Sequence, residues 1–212
     1  PGNIMVSNPD WVKPLGEWTQ MLGNWAESCD GDSLMNLAIA VDAKPVAGNP
    51  AIFKASRNWF MRYLRNNDVF FSHFARACIE FDTPLTFFGN LKEKGQLDIK
   101  KGGIFPIVHG IRTLAIEHKI KATNTFKRIE ALVELGQMKE KHGRDMSEAL
   151  GLFIQLRLRQ QIKRMDQDDN GVDQTPNIIE LACLDKMERD LLRDALHIVK
   201  GFKKHLTLRY HL

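Results

Sequence analysis

The sequence predicts an all-α fold, a single helical bundle domain of about eight helices with one small β-hairpin. Three observations carry this expectation. Apolar residues recur at steps of three and four along most of the 212 residues, the spacing of amphipathic helices. Alternation with a period of two is confined to Leu85 to Lys101. Composition is that of an ordinary globular chain, 43% hydrophobic and 26% charged, which excludes disordered, collagen-like and disulfide-scaffold classes.

Trp11, Leu15, Trp18, Leu22 and Trp25 trace the seam of a first helix, with Pro14 in its first turn. Leu34, Leu37, Ala38 and Val41 mark a second, capped by Asp32 or Ser33 and closed by the stretch from Pro45 to Pro50. Phe53, Phe60 and Leu64 mark a third. A cap at Asn67-Asp68 opens a fourth, whose face is Phe70, Phe74, Ala77, Cys78 and Phe81. Eight of the 12 phenylalanines lie between Phe53 and Phe88, which reads as an aromatic-rich core rather than a ligand box.

From Leu85 the period changes. Leu85, Phe87 and Leu91 alternate with polar neighbours, as do Leu97 and Ile99, so a hairpin is expected with its turn at Lys92 to Gly95. Gly102-Gly103 then breaks the strand. Ile104, Ile107, Val108, Ile111, Leu114 and Ala115 form the next helical stripe, and Pro106 fits only its first turn. Another helix runs from a cap at Thr123 or Asn124 through Phe126, Ile129, Leu132 and Val133 to Gly136. The helix expected from Asp145 to Met165 is apolar almost all round between Ala149 and Leu158, which places it at the centre of the bundle and asks for a buried partner for Arg157. Asp185 and Glu188 form a capping box for a last helix lined by Met187, Leu191, Ala195, Ile198 and Phe202.

Formal net charge is +4, and the segment Ala195 to Leu212 holds Lys200, Lys203, Lys204 and Arg209 with no acid. A solvated helix face accounts for this, so nucleic acid is not expected as a partner. The longest unbroken aliphatic run, Leu37 to Val41, is far short of the roughly 20 residues of a membrane span. Three cysteines, Cys29, Cys78 and Cys183, share no close spacing, and no signal-peptide pattern opens the chain; a cytoplasmic location is expected. Pro1-Gly2-Asn3 carries neither a cap nor an apolar pattern and reads as the cut end of a longer chain.

The stretch Leu97 to Arg112 is the most suggestive for chemistry. A strand delivers Asp98, Lys100 and Lys101 to a glycine pair, Gly102 and Gly103, that opens a helix carrying His109 and Arg112 on one face. Free amides, close backbone approach and adjacent lysines can hold a phosphate, and all of these side chains are expected on one exposed surface. A plain strand-to-helix corner uses the same residues, with the glycines serving the turn and Asp98 pairing with a lysine. The loop Asp166 to Gly171 matches the first half of a calcium loop, but Asn177 stands where the closing glutamate belongs, so a solvated acidic turn is expected. No His-Glu-x-x-His, Cys-x-x-Cys, phosphate-loop or hydrolase-elbow pattern occurs. No catalytic residue and no metal ligand is assigned.

Taken together, Pro1 to Met5 with Ser7-Asn8-Pro9, Leu97 to Gly103, Ala122 to Thr125, Leu156 to Arg159 and Leu191 to Leu196 resemble the nucleotidyltransferase substrate-binding domain family. Its members are bacterial signal-transduction proteins with upstream CBS or cyclic-nucleotide-binding domains and a transferase domain related to protein-PII uridylyltransferase. The glycine-pair segment is also similar to part of glutamine synthetase adenylyltransferase. The resemblance implies a helical lobe, residues 1–212, that helps a preceding nucleotidyltransferase lobe of the same chain hold a nucleotide or an acceptor protein. It implies Asp98, Lys100, Lys101, Gly102, Gly103, His109 and Arg112 as substrate-binding residues. No cofactor is expected in this chain, and magnesium and a nucleoside triphosphate are expected in the full-length protein, on carboxylates of the other lobe. A regulatory interaction module without catalysis is the other class that fits, and a Gly-Ser turn followed by Asp-x-Asp upstream of Pro1 distinguishes the two.

Overall fold

The computed structural model describes residues 11–86, 89–91, 95–165 and 177–212, without the side chains of 164 and 165. Its fold is all-α, with eight helices and one small two-stranded antiparallel sheet among the described residues. The chain divides into two compact units, Pro1–Phe74 and Ala75–Leu212.

In the first unit lie α1 (Leu15–Ser28), α2 (Gly31–Asp42), α3 (Pro50–Tyr63) and the first part of α4 (Asp68–Arg76). Pro14 is the N-cap of α1, where its missing N–H costs nothing. Trp11, Trp18 and Trp25 form a mutual cluster with ring centroids 5.7–6.5 Å apart, while Leu22 and Ala26 are buried. Gly23 admits α3 closely, since a Cβ there would sit 3.4 Å from the Trp59 ring. The α2 cap is Asp30 rather than Asp32 or Ser33, because the helix begins at Gly31 and the Asp30 carboxylate reaches the Ser33 amide at 2.9 Å.

The bonds to the Ser33 amide and hydroxyl, with Ser28 adding a further one, hold the Asp30 carboxyl down to about 2. A carboxyl depressed in the folded state stabilises above its unfolded value of about 4 and loses that contribution as the pH falls towards 2. The melting temperature of Asp30→Asn, which keeps a capping oxygen but does not titrate, should therefore approach that of the parent chain on acidification. A constant gap between the two from pH 6 to pH 2 would contradict this.

The second unit holds the end of α4, β1 (Gln96–Asp98), a π-helical turn (Lys100–Ile104), α5 (Phe105–Glu117), α6 (Thr125–Glu134), α7 (Glu140–Met165), β2 (Ile178–Glu180), a 3-10 turn (Leu181–Cys183) and α8 (Lys186–Tyr210). Asn124 caps α6 through the Lys127 amide, and Gly136 follows it with φ +68°. Asp185 and Glu188 make the expected capping box on α8.

The antiparallel partner of β1 is not the expected segment from Leu85 to Leu91. It is β2, with Leu97 opposite Ile179. The Thr86 amide instead donates to the Asn90 carbonyl at 2.8 Å. Alternation shows that a strand is half-buried but does not name its partner, and β2 is too short to alternate visibly. Of the expected hairpin turn at Lys92 to Gly95, only Gly95 is described, with φ +138°, and the candidate calcium loop, Asp166 to Gly171, lies outside the described residues.

The most buried helix is α5, not α7: Ile107, Ile111, Thr113 and Ala115 are fully enclosed. On α7, which starts at Glu140 rather than Asp145, Met146, Ala149, Leu150, Phe153 and Leu156 are buried. Ile154, Leu158 and Ile162 make a second, exposed stripe, so α7 is not enclosed on all sides. Arg157 is half-buried, and its Nε has no hydrogen-bond partner among the described residues. The buried row of α8 is Leu192, Ala195, Leu196, Val199, Phe202, Leu206 and Tyr210. Met187 and Leu191, expected inside, are exposed because α8 carries two apolar rows and the neighbouring one was available to the core.

Candidate functional site

Strand β1 turns Leu97 and Ile99 inward, which leaves Asp98 half-buried and Lys100 exposed. The Asp98 carboxylate accepts the Lys101 amide at 2.9 Å and so caps the helical stretch that begins with the π-helical turn. Lys100 and Lys101 project to solvent from that turn. Gly102 and Gly103 face inward, contrary to the expected open cradle. A Cβ on Gly102 would meet Pro84 at 2.8 Å, and one on Gly103 would meet the Phe153 ring at 2.9 Å. The pair therefore admits neighbouring side chains, which lets a tight corner hold two lysines at the surface.

Above this corner lies an aromatic and cationic cluster. Phe81 meets Phe105 edge-on at 5.7 Å, and Phe105 stacks on His109 at 5.3 Å and 13°. The Lys101 ammonium sits 5.5 Å from the centre of the Phe81 ring, within cation–π range. Lys203 of α8 donates to the Phe81 carbonyl. Burial lowers the Lys203 ammonium's pKa, and the nearby Asp82 charge works against that shift.

His109 corrects the sequence reading, which put it on the exposed surface. It is 5% exposed, because stacking on Phe105 one turn earlier folds the ring into the helix packing. Arg112, half-buried, lies with Nη1 3.1 Å from His109 Nδ1. Guanidinium only donates, so Nδ1 accepts and the ring proton is on Nε2. Cys78 is buried beside these groups. Burial pushes its thiol up to about 12 even though Arg112 and Lys203 pull it down, which makes it a packing residue rather than a nucleophile.

A second polar cluster joins the C-terminal ends of α5 and α8. Arg209 donates to both oxygens of Glu117 at 2.9 and 3.1 Å, and the Tyr210 hydroxyl donates to Oε2 of Glu117 at 2.5 Å. Burial raises the Glu117 pKa, but the bonds from Arg209 and Tyr210 outweigh it and the net shift is downward. Every group here is engaged by another, so the cluster reads as a clamp between helices.

Among the described residues no group of three or more His, Cys, Asp or Glu side chains is placed to hold a metal ion. They do not fit the two-magnesium chemistry of nucleotidyl transfer. No helix among them is long and apolar enough to cross a membrane.

Of the seven sequence-derived residues, the structure places Asp98, Lys100, Lys101 and Arg112 at or near the surface of one corner and turns Gly102, Gly103 and His109 into its packing. Phe81, Phe105 and Lys203 complete the surface and were not singled out. Lys203 looked like one of several solvated lysines, and only the tertiary fold brings it to Phe81.

The molecule is thus a helical domain whose surface combines lysines with aromatic ring faces. It belongs to the family described as Putative nucleotidyltransferase substrate binding domain, whose model matches residues 68–210. A second model, Putative nucleotidyltransferase DUF294, matches residues 1–32. No curated protein and no solved structure matches the chain.

Proposed function

We propose that this domain holds the nucleotide in a nucleotidyl transfer reaction, with the phosphates on Lys100 and Lys101 and the base against Phe81 and Phe105. One observation carries the reading: the corner sets the exposed Lys101 ammonium beside a pair of half-buried aromatic rings, with Lys100 exposed on the same turn, and these match the two chemically distinct ends of a nucleotide. Asp98 positions Lys101 by capping its amide, Gly102 and Gly103 let the corner pack closely, and His109 with Arg112 backs Phe105. The family match supports a substrate-holding role, and the order of the two matches supports a nucleotidyltransferase lobe preceding this one. The groups of this chain bind and orient the triphosphate for attack by an acceptor. Free cysteines, Cys29, Cys78 and Cys183, fit a reducing, cytoplasmic setting.

In a protein that joins this chain to its nucleotidyltransferase lobe, Lys100→Glu with Lys101→Glu should raise KM for the nucleotide about tenfold and leave kcat within about twofold. Melting of the domain should be unchanged, since exposed charges contribute little to stability. An unchanged KM in a folded double variant would remove the corner from the site.

A further inference from the structure

A cleft of about 580 Å³ opens where the α6–α7 loop, the first turns of α7 and the middle of α8 meet over Leu114 of α5. Its volume falls in the roughly 300–1,000 Å³ range of small-molecule sites. Leu114, Met138, Met146, Ile198 and Phe202 line its apolar part. Lys139, His142 and His205 are its basic lining residues, and the His142 charge acts on His205. Asp145 is the one acid among the lining residues.

Gly201 is a lining residue without a side chain. It lies inside α8 without a positive φ, and, like Gly151 of α7, it has nothing within 4 Å of a Cβ built there. A larger side chain at Gly201 is therefore placed at the cleft wall without a clash. Nearby Gly110 shows the opposite case, where a Cβ would strike Phe202 at 2.6 Å.

We infer that this cleft binds a small organic carboxylate with an apolar, ring-sized body, the body against Met138, Met146 and Phe202 and the carboxylate at Lys139, His142 and His205. Thioether and aromatic walls suit a flat hydrocarbon body. Lys139 is the one lysine among the lining residues, and burial first, then the Arg209 and His142 charges, lower the His205 pKa. The site is separate from the Lys100–Lys101 corner and stands whether or not nucleotide binds there.

The test is a titration of the 212-residue chain, labelled at its methionine methyls, followed by NMR. The probes are 3-phenylpropanoate, its neutral analogue 2-phenylethanol, its cationic analogue 2-phenylethylamine, and acetate. Saturable shifts at Met138 and Met146 are expected with 3-phenylpropanoate, with affinity about tenfold weaker for the alcohol and no saturation by acetate. Gly201→Leu, which meets no neighbour at Cβ, should weaken the acid at least tenfold while the melt is retained. Lys139→Glu, an exposed residue, should do the same and carries the test if Gly201→Leu does not fold. Lys100→Glu with Lys101→Glu should leave these shifts unchanged. The inference is overturned if the acid gives no saturable shift, if the amine binds as tightly as the acid and so shows Asp145 in control, or if affinity survives in a folded variant of either kind.

Discussion

Phe153→Ala should lower the unfolding free energy by about 4 kcal/mol, the range for removing an enclosed aromatic ring from a core. Phe153 is fully buried on α7, and its ring is the surface against which Gly103 packs. Truncation loses the transfer energy of the ring and leaves a void beneath the π-helical turn. The expected fall in melting temperature is on the order of 10 °C for a domain of this size. The consequence extends to function, because the turn that loses its floor is the one that holds Lys100 and Lys101 outward. Chemical denaturation of Phe153→Ala beside the parent chain measures the effect. A change below about 1 kcal/mol would mean that the corner does not depend on this contact.

Gly110→Val should cost about 3 kcal/mol by the opposite route, adding atoms where there is no room. Gly110 lies inside α5, the most enclosed helix, and a Cβ there would stand 2.6 Å from Phe202 Cε1 and 2.7 Å from Leu206 Cδ1. Both neighbours are buried side chains of α8, so they cannot swing into solvent. The two helices must separate or the side chains must leave their preferred rotamers. Gly201→Ala makes the control: it adds a methyl group to the middle of a helix facing open space, and it should stabilise the chain by roughly 0.5–1 kcal/mol. Thermal melts of the two variants should move in opposite directions. Equal shifts of the same sign would show that helix propensity, not the α5–α8 contact, governs both positions.

What the sequence revealed was mostly local. The Asp185–Glu188 capping box and the Asn124 cap were legible because each is a hydrogen bond across three residues, fixed by side-chain type and spacing. The seam of α8 was harder, since Leu191 and Leu192 both begin plausible apolar rows and only packing decides between them. The partner of β1 was not legible, because Ile178–Glu180 is a strand of three residues about 80 positions away, and nothing in its composition names Leu97 as its neighbour. The site divides in the same way. Asp98 and the two lysines stood out because strand alternation and the glycine pair fix their directions within a few residues. His109 was misplaced because its spacing from Arg112 fixes a shared helix face but not what covers it, and the cover is Phe105. Lys203 comes to Phe81 across most of the second unit, a meeting that only the assembled helices create.

Nucleotide binding is proposed for the corner of Lys100, Lys101, Phe81 and Phe105. Amide-detected NMR titration of the chain with ATP and with UTP tests it most directly. Saturable shifts are expected at Lys101, Phe105 and His109 with either nucleotide. Those shifts should be abolished by Lys100→Glu with Lys101→Glu and reduced by Phe81→Ala. Saturable binding that maps elsewhere, or shifts at the corner that survive the double charge reversal in a folded chain, would contradict it.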